Sequence, residues 1–209
     1  MQKKLTEEQQ QTIMDVATKE FGEKGLNGAN INYIAKCSNV SVGVIYKYYS
    51  NKEELFSACL SRSLSHLNKT LQEAVKDVGD IETTMSYLIS AAITFSKKHK
   101  NEIRMYHWIT TISGEKAKEY AREIETVSSK LYKELISKAK SEGLVHGDMD
   151  PGVFAFFFDN LLMMLHFSYG CDYYNERFRI YMGEDVEDKD EYVKEQLVLF
   201  LKRGLKMKM

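Results

Sequence analysis

The chain has 209 residues, 44% of them hydrophobic and 28% charged, which is enough apolar material for a sizeable core and too much for a disordered segment. A single proline and the scarcity of alternating apolar and polar runs exclude a sandwich or barrel and predict an all-α fold. A formal net charge of -1 excludes any general pull toward nucleic acid or an acidic membrane surface, so such attraction has to come from local segregation of charge.

In chain order, Thr6 and Gln9 form a capping box, and Ile13, Val16, Ala17 and Phe21 recur at helical spacing until "GEKG" supplies a stop at Gly25. Asn30 caps a short second helix with Ile31, Ile34 and Ala35 on one face, ending near Cys37 and Ser38. Asn39 suits the left-handed backbone of a tight turn, and Ser41 caps a third helix. Ser50 with Glu53 reads as a second capping box, opening a long helix through Leu55, Cys59, Leu64, Leu67, Leu71 and Val75 to a stop at Gly79. Further helices are predicted over Ile81 to Lys98, Glu102 to Ile112 and Glu115 to about Ser141. "SEGLVHGDMDPG" is a loop whose Asp150 and Pro151 open an apolar helix to about Tyr174, and a last helix runs from about Glu191 to Lys206. The expectation is about nine helices in two units, 1-50 and 51-209.

Charge is segregated along this layout. Between Lys24 and Lys52 there are four lysines and no acid, a candidate anion-binding face, whereas Gly183 to Glu195 carries seven acids against two lysines and reads as a solvated connection. Cys37, Cys59 and Cys171 are widely spaced, and His99, His107, His146 and His166 show no metal-ligand spacing, so reduced thiols and no metal or cofactor are expected. The N-terminus lacks the apolar core of a signal peptide, making the cytoplasm the default compartment. "GVFAFFFDNLLMMLHFSYGC" is long enough to cross a bilayer, but Asp159, Asn160 and His166 inside it favour a buried bundle helix, with no membrane partner.

Two short helices joined by a tight turn match a helix-turn-helix whose second helix enters the DNA major groove. Val40, Ile45 and Tyr49 point back to the core, leaving Ser41, Val42, Gly43, Tyr46 and Lys47 outside. Gly43 lets the helix approach base edges, Val42 and Val44 offer methyl groups to thymine, Tyr46, Tyr48 and Lys52 reach phosphates, and Lys47 reaches either a phosphate or a guanine edge. The stretch Ile13 to Phe56, about a fifth of the chain, resembles the N-terminal domain of the TetR family of bacterial transcriptional regulators. The resemblance is carried by Ala17, Phe21, Gly25, Ile31, Ile34, Ala35, Val40, Ser41, Gly43, Ile45, Tyr46, Tyr48, Lys52, Glu53 and Leu55. The departures are Asn39 for the usual turn glycine, Asn30 where threonine is frequent (still able to cap and to touch a phosphate), Val44 for a common threonine, and Cys37 with Ser38. Cys37 is expected to be a quiet, partly buried thiol, with redox sensing as the alternative.

The resemblance implies a sequence-specific regulator and not an enzyme: a homodimer on a palindromic double-stranded DNA operator, most simply a repressor released by a small lipophilic or aromatic effector. A transcriptional activator, or a helical interaction protein without ligand response, are the alternatives. In the family the last two long helices pair between protomers, which here implicates Phe154, Phe158, Leu161, Leu162 and Leu165 with Val193, Leu197, Phe200 and Leu201. The implied pocket would draw on Tyr87, Phe95, Tyr106, Trp108, Tyr120, Tyr132, Met163 and Phe167, with Asp159, Asn160 and His166 as polar groups that need partners when buried.

Overall fold

The computed structural model describes residues 5–76, 80–145 and 147–204, with the side chain of Glu187 left aside. Among the described residues there is no strand. The helices are α1 (Glu7–Gly28), α2 (Ile31–Cys37), α3 (Val42–Tyr48), α4 (Lys52–Ala74), α5 (Ile81–Lys98), α6 (Lys100–Ile109), α7 (Glu115–Ser141), α8 (Pro151–Gly170), α9 (Asp172–Met182) and α10 (Asp190–Gly204), with one 3₁₀ turn at Val186–Asp188. The stop expected at Gly79, the final Leu205 and Lys206, and His146 lie outside the described residues.

The caps explain most boundaries. Thr6 and Gln9 form the expected reciprocal box at α1. The cap of α4 falls one residue later than the sequence suggested: Asn51, not Ser50, accepts from the Glu54 amide at 2.7 Å, and Glu54 reaches back to the Ser50 amide at 2.7 Å. Gly25 does interrupt α1, with φ of 67°, but one further turn follows to Gly28. A single residue, His99, joins α5 to α6, so α6 starts and ends earlier than the periodicity implied.

The largest difference lies after α8. The apolar pattern predicted one helix to about Tyr174; instead Cys171 is extended and a separate helix, α9, begins at Asp172. Arg104 of α6 makes this break by donating to the Gly170 carbonyl at 3.0 Å and to the Asp172 carboxylate at 2.9 Å, so one guanidinium holds the end of one helix and the start of the next. Gly170 is required there, since a Cβ would stand 2.5 Å from Ile103 Cγ2.

In the head, α1, α2 and α3 pack over the start of α4 around Ile13, Ala17, Phe21, Ile34, Ile45, Leu55 and Phe56, all buried. Phe21 and Phe56 meet edge to face at 5.2 Å, and truncating either to alanine would cost about 3–5 kcal/mol. In the body, α8 packs against α5, α6, α7 and α9, and α10 lies against α5. Among the described residues α8 is the one helix long and apolar enough to cross a membrane, and half of it is buried inside the protomer.

Two body helices carry most of the contact with α1. α4 continues out of the head, and α6 packs closely along α1 at Gly22 and Gly25. A Cβ on Gly22 would lie 2.6 Å from the Asn101 carbonyl oxygen, and one on Gly25 would lie 2.8 Å from the Trp108 ring.

Candidate nucleic-acid interface and effector cleft

The reading head is built by its turn. Val40 donates to the Ala35 carbonyl, Asn39 takes the left-handed conformation at φ of 54°, and Ser41 then caps α3 by accepting from the Val44 amide at 3.3 Å. Asn30 caps α2, accepting from the Asn32 and Tyr33 amides at 2.9 and 3.3 Å, which leaves its side-chain NH₂ exposed toward solvent. Ile45 is fully buried, while Tyr49 is anchored by a hydroxyl contact to Met14 Sδ at 3.2 Å.

On the outer side of α3, Ser41, Gly43, Tyr46 and Lys47 are exposed and Val42 and Val44 are half-buried. Gly43 has no conformational reason to be glycine, because its φ is not positive, and no packing reason, because a Cβ there would meet only Ser41 Oγ at 3.9 Å. The bare position is therefore free for an external surface to approach. Tyr48 and Lys52 already have partners inside the protein. The Tyr48 hydroxyl oxygen accepts from the Leu5 amide at 2.8 Å, leaving its own proton available; Lys52 donates to the Asn27 and Ala29 carbonyls at 3.1 and 3.3 Å, closing the end of α1 with one N–H to spare. Of the four lysines on this face, Lys24 pairs with the buried carboxylate of Glu20, while Lys36 and Lys47 are exposed. The Cys37 thiol is exposed, not partly buried as expected, because it falls on the outer side at the end of α2.

In the body, a cleft of about 340 Å³ opens between α7 and α8, lined by Glu125, Ser128, Ser129, Lys133, Gly152, Ala155, Phe156, Asp159, Asn160 and Met163. At its foot is a narrow space of about 30 Å³, bounded by Leu64, Leu67 and Leu71 of α4, Tyr106 of α6, Tyr132 of α7 and Leu162 and His166 of α8. Glu125, Ser128, Asp159 and Met163 belong to both. Burial, and then the neighbouring Glu125 carboxylate, push Asp159 up to about 7. Burial raises Glu125 as well, against stabilising hydrogen bonds from Tyr106, Asp159 and Ser128. Each carboxyl, once ionised, thus disfavours ionisation of the other, and the Tyr106 hydroxyl donates to Glu125 Oε1 at 3.3 Å. His166 is fully buried and pushed down to about 4 by desolvation. Ser96 gives its one proton to the Ala92 carbonyl at 2.7 Å, so the His166 contact at 2.7 Å has ring Nδ1–H as donor to Ser96 Oγ.

Residues 13–59 match the family model of bacterial regulatory proteins, tetR family. The HTH-type transcriptional regulator YvdT of Bacillus subtilis (strain 168) is 24% identical over 202 residues, covering 97% of both chains. The FadR transcriptional regulator of Bacillus subtilis, solved in complex with stearoyl-CoA, superposes with a TM-score of 0.74 at 17% identity, over 90% of this chain and 97% of that one. AibR, solved with isovaleryl coenzyme A and operator DNA, gives 0.64 at 21% identity, over 77% and 85%. Residues 13–59 are a TetR-family regulatory domain. The chain is a DNA-binding transcriptional regulator.

In this regulator the polar half of the expected pocket converges and much of the aromatic half does not. Tyr106, Tyr132, Asp159, Asn160, Met163 and His166 surround the cleft and the space beneath it, although Asn160 already donates to the Phe156 carbonyl at 2.7 Å. Tyr87 is half exposed, Trp108 packs on Gly25, and Tyr120 meets Ser57 at 2.9 Å beside the head. Phe95 stacks with His66 and His99, and Phe167 with His107 and Tyr174, so these rings pack helices and line neither cavity. Glu125 and Ser128 were not anticipated. Their signal was present, since both fall at helical spacing from the buried Tyr132, seven and four residues before it, on the inward stripe of α7.

Of the residues expected at the pairing face, Phe154, Phe158, Leu162, Leu165, Val193 and Leu201 are buried within the protomer, because α8 packs on α5, α6 and α7 and α10 packs on α5. The apolar surface left open is Val153, Phe156 and Phe157 on α8 and Phe200 on α10, each more than half exposed, with Leu161 and Leu197 half-buried beside them. Val153, Phe157, Leu161 and Phe200 line a groove of about 540 Å³ between the two helices.

Proposed function

We propose that this regulator is a homodimeric repressor that reads a palindromic operator and leaves it when a small lipophilic molecule enters between α7 and α8. Residues 1-50 form the reading unit and 51-209 the effector and pairing unit. Two copies are needed because one seven-residue helix reads too few base pairs, and the open face of Val153, Phe156, Phe157 and Phe200 is the seam. Gly43 and the Val42 and Val44 methyls meet base edges, and Asn30, Ser41, Tyr46, Lys47, Tyr48 and Lys52 hold phosphates. Such a protein works in the compartment that holds the chromosome.

The observation that carries the release mechanism is the narrow space of about 30 Å³ beneath the cleft. It has room for about one water, so a ligand reaching into it has to part α7 and α8 from α4 and α6, the two helices packed most extensively on α1. The chemistry of the effector follows from the lining. FadR and AibR were solved with acyl-CoA molecules, which carry several negative charges. Here two carboxyls face one lysine, Lys133, a setting that disfavours a polyanionic head and suits a neutral hydrogen-bonding or cationic one.

The test is an anisotropy titration of the purified dimer on palindromes from its own upstream region, with a thermal-shift screen of lipophilic neutral, cationic and acyl-CoA compounds. Salt-sensitive, sequence-selective binding that a stabilising neutral or cationic hit abolishes is the expected result. A hit that stabilises the protein and leaves operator affinity unchanged overturns the release mechanism.

A further inference from the structure

Three side chains from different segments converge where α4, α5 and α6 meet. His66 lies on α4, His99 is the single residue between α5 and α6, and Glu102 is in the first turn of α6. The ligating atoms of the three lie within 4.8 Å of one another. His99 Nδ1 is 3.1 Å from Glu102 Oε1 and His66 Nδ1 is 3.4 Å from Glu102 Oε2. Two ligands bound tetrahedrally at about 2.0–2.1 Å from one zinc-sized ion stand roughly 3.3 Å apart, so these separations already match a shared metal. Glu102 Oε2 is buried and receives no hydrogen bond, a lone pair that the protein leaves without a donor. The Phe95 ring packs against both imidazoles, at 5.0 and 4.6 Å between centroids, and fixes their planes.

We infer that His66, His99 and Glu102 form a site for a divalent transition-metal ion of the zinc type, with water in the fourth position, and that the ion clamps α4 to α6. The donor set is two imidazoles and one carboxylate, which suits zinc, cobalt or nickel and leaves magnesium or calcium a poor fit. The linear sequence hid it, because His66 and Glu102 are 36 residues apart and only the packing of α4 on α6 unites them. Its position gives it a regulatory reach: Glu102 is next to Asn101, whose backbone abuts Gly22 of α1. Tying Glu102 to α4 fixes both helices that meet the head, whatever occupies the α7–α8 cleft.

The experiment uses the full chain, stripped with a chelator and titrated with Co²⁺ and then Zn²⁺, alongside His66→Ala, His99→Ala and Glu102→Gln variants checked by circular dichroism. Expected is one Co²⁺ per chain with the strong visible absorption of four-coordinate cobalt, displaced by Zn²⁺ and weakened by about tenfold or more in each variant. The His66 side chain is 46% exposed, so its variant is expected to keep the fold. Zn²⁺ is also expected to change operator affinity of the parent chain by about fivefold or more and that of His66→Ala not at all. No stoichiometric uptake, or equal uptake by all variants, overturns the site; uptake without any change in operator affinity overturns the clamp.

Discussion

Replacing Gly43 with alanine separates what the fold needs from what DNA needs. Gly43 sits at the second position of α3, with ordinary helical backbone and 3.9 Å of clearance to the nearest neighbour of an added Cβ. Nothing inside the protein resists the methyl. Alanine is favoured over glycine by about 1 kcal/mol in a helix interior and by roughly half that in a first turn, so Tm should rise by about 1–2 °C. On DNA the same methyl projects about 1.5 Å from a surface that would otherwise lie against base edges, and losing one good base contact costs about 1–3 kcal/mol. Operator affinity should therefore fall by about tenfold to hundredfold, while binding to unrelated duplex, which rests on phosphates, barely moves. Thermal unfolding and anisotropy on operator and scrambled DNA at one salt concentration read all three quantities. A variant that binds the operator as tightly as the parent refutes the close approach of α3, and one that unfolds earlier refutes the clearance.

The remaining predictions address pairing, titration and the head–body seam. Phe157→Asp should convert dimer to monomer in sedimentation with little loss of protomer stability, since the ring is 62% exposed; a variant that stays dimeric puts the seam elsewhere. Asp159, raised to about 7, favours the fold fully below about pH 4, and that contribution, of about 2–4 kcal/mol, is lost as pH rises toward 7. Asp159→Asn should thus stabilise the protein at pH 8 and not at pH 4, exposing the opposite slope of His166, whose contribution is full above 6.5 and lost as pH falls toward 4; parallel denaturation curves for variant and parent would contradict the Asp159 contribution, and a variant that loses no stability between pH 6.5 and 4 would contradict that of His166. Gly25→Ala should cost roughly 2–4 kcal/mol in urea unfolding, from the left-handed backbone and the Trp108 ring 2.8 Å from the new Cβ, and unchanged stability would show that the seam yields.

The head was legible because its signals are local. Caps at Thr6, Asn30 and Ser41, the left-handed Asn39 and the inward Ile45 each depend on residues a few positions apart, and all stand as read. The Asn51 cap was misplaced by one residue because Ser50 and Asn51 are both good caps, and Glu53 and Glu54 both follow at capping distance. The body was less legible where structure depends on a distant group. The apolar rhythm through Tyr174 concealed the end of α8, which Arg104 enforces from α6. In α8 nearly every side chain is apolar, so the pattern carries no phase and the choice between Phe158 inside and Phe157 outside is made only by α5 and α7. The polar residues that line the α7–α8 cleft and the space beneath it were findable for the opposite reason: Asp159 and His166 stand out against an apolar helix.

The helix α1 has an end in each half of the regulator. Near its last turns, Gly22 and Gly25 set it directly against Asn101 and Trp108 of α6; just ahead of its first turn, the Leu5 amide is bonded to the hydroxyl of Tyr48, the last residue of α3. The span between these points is about 27 Å at 1.5 Å per residue, and where backbone lies on backbone no rotamer change can absorb a displacement. A tilt of about 6° at the glycine end therefore carries the tyrosine end by about 3 Å, close to the 3.4 Å that separates successive phosphates on one strand along the DNA axis. Two residues without side chains make the first helix a rigid arm, with a throw of roughly one base pair.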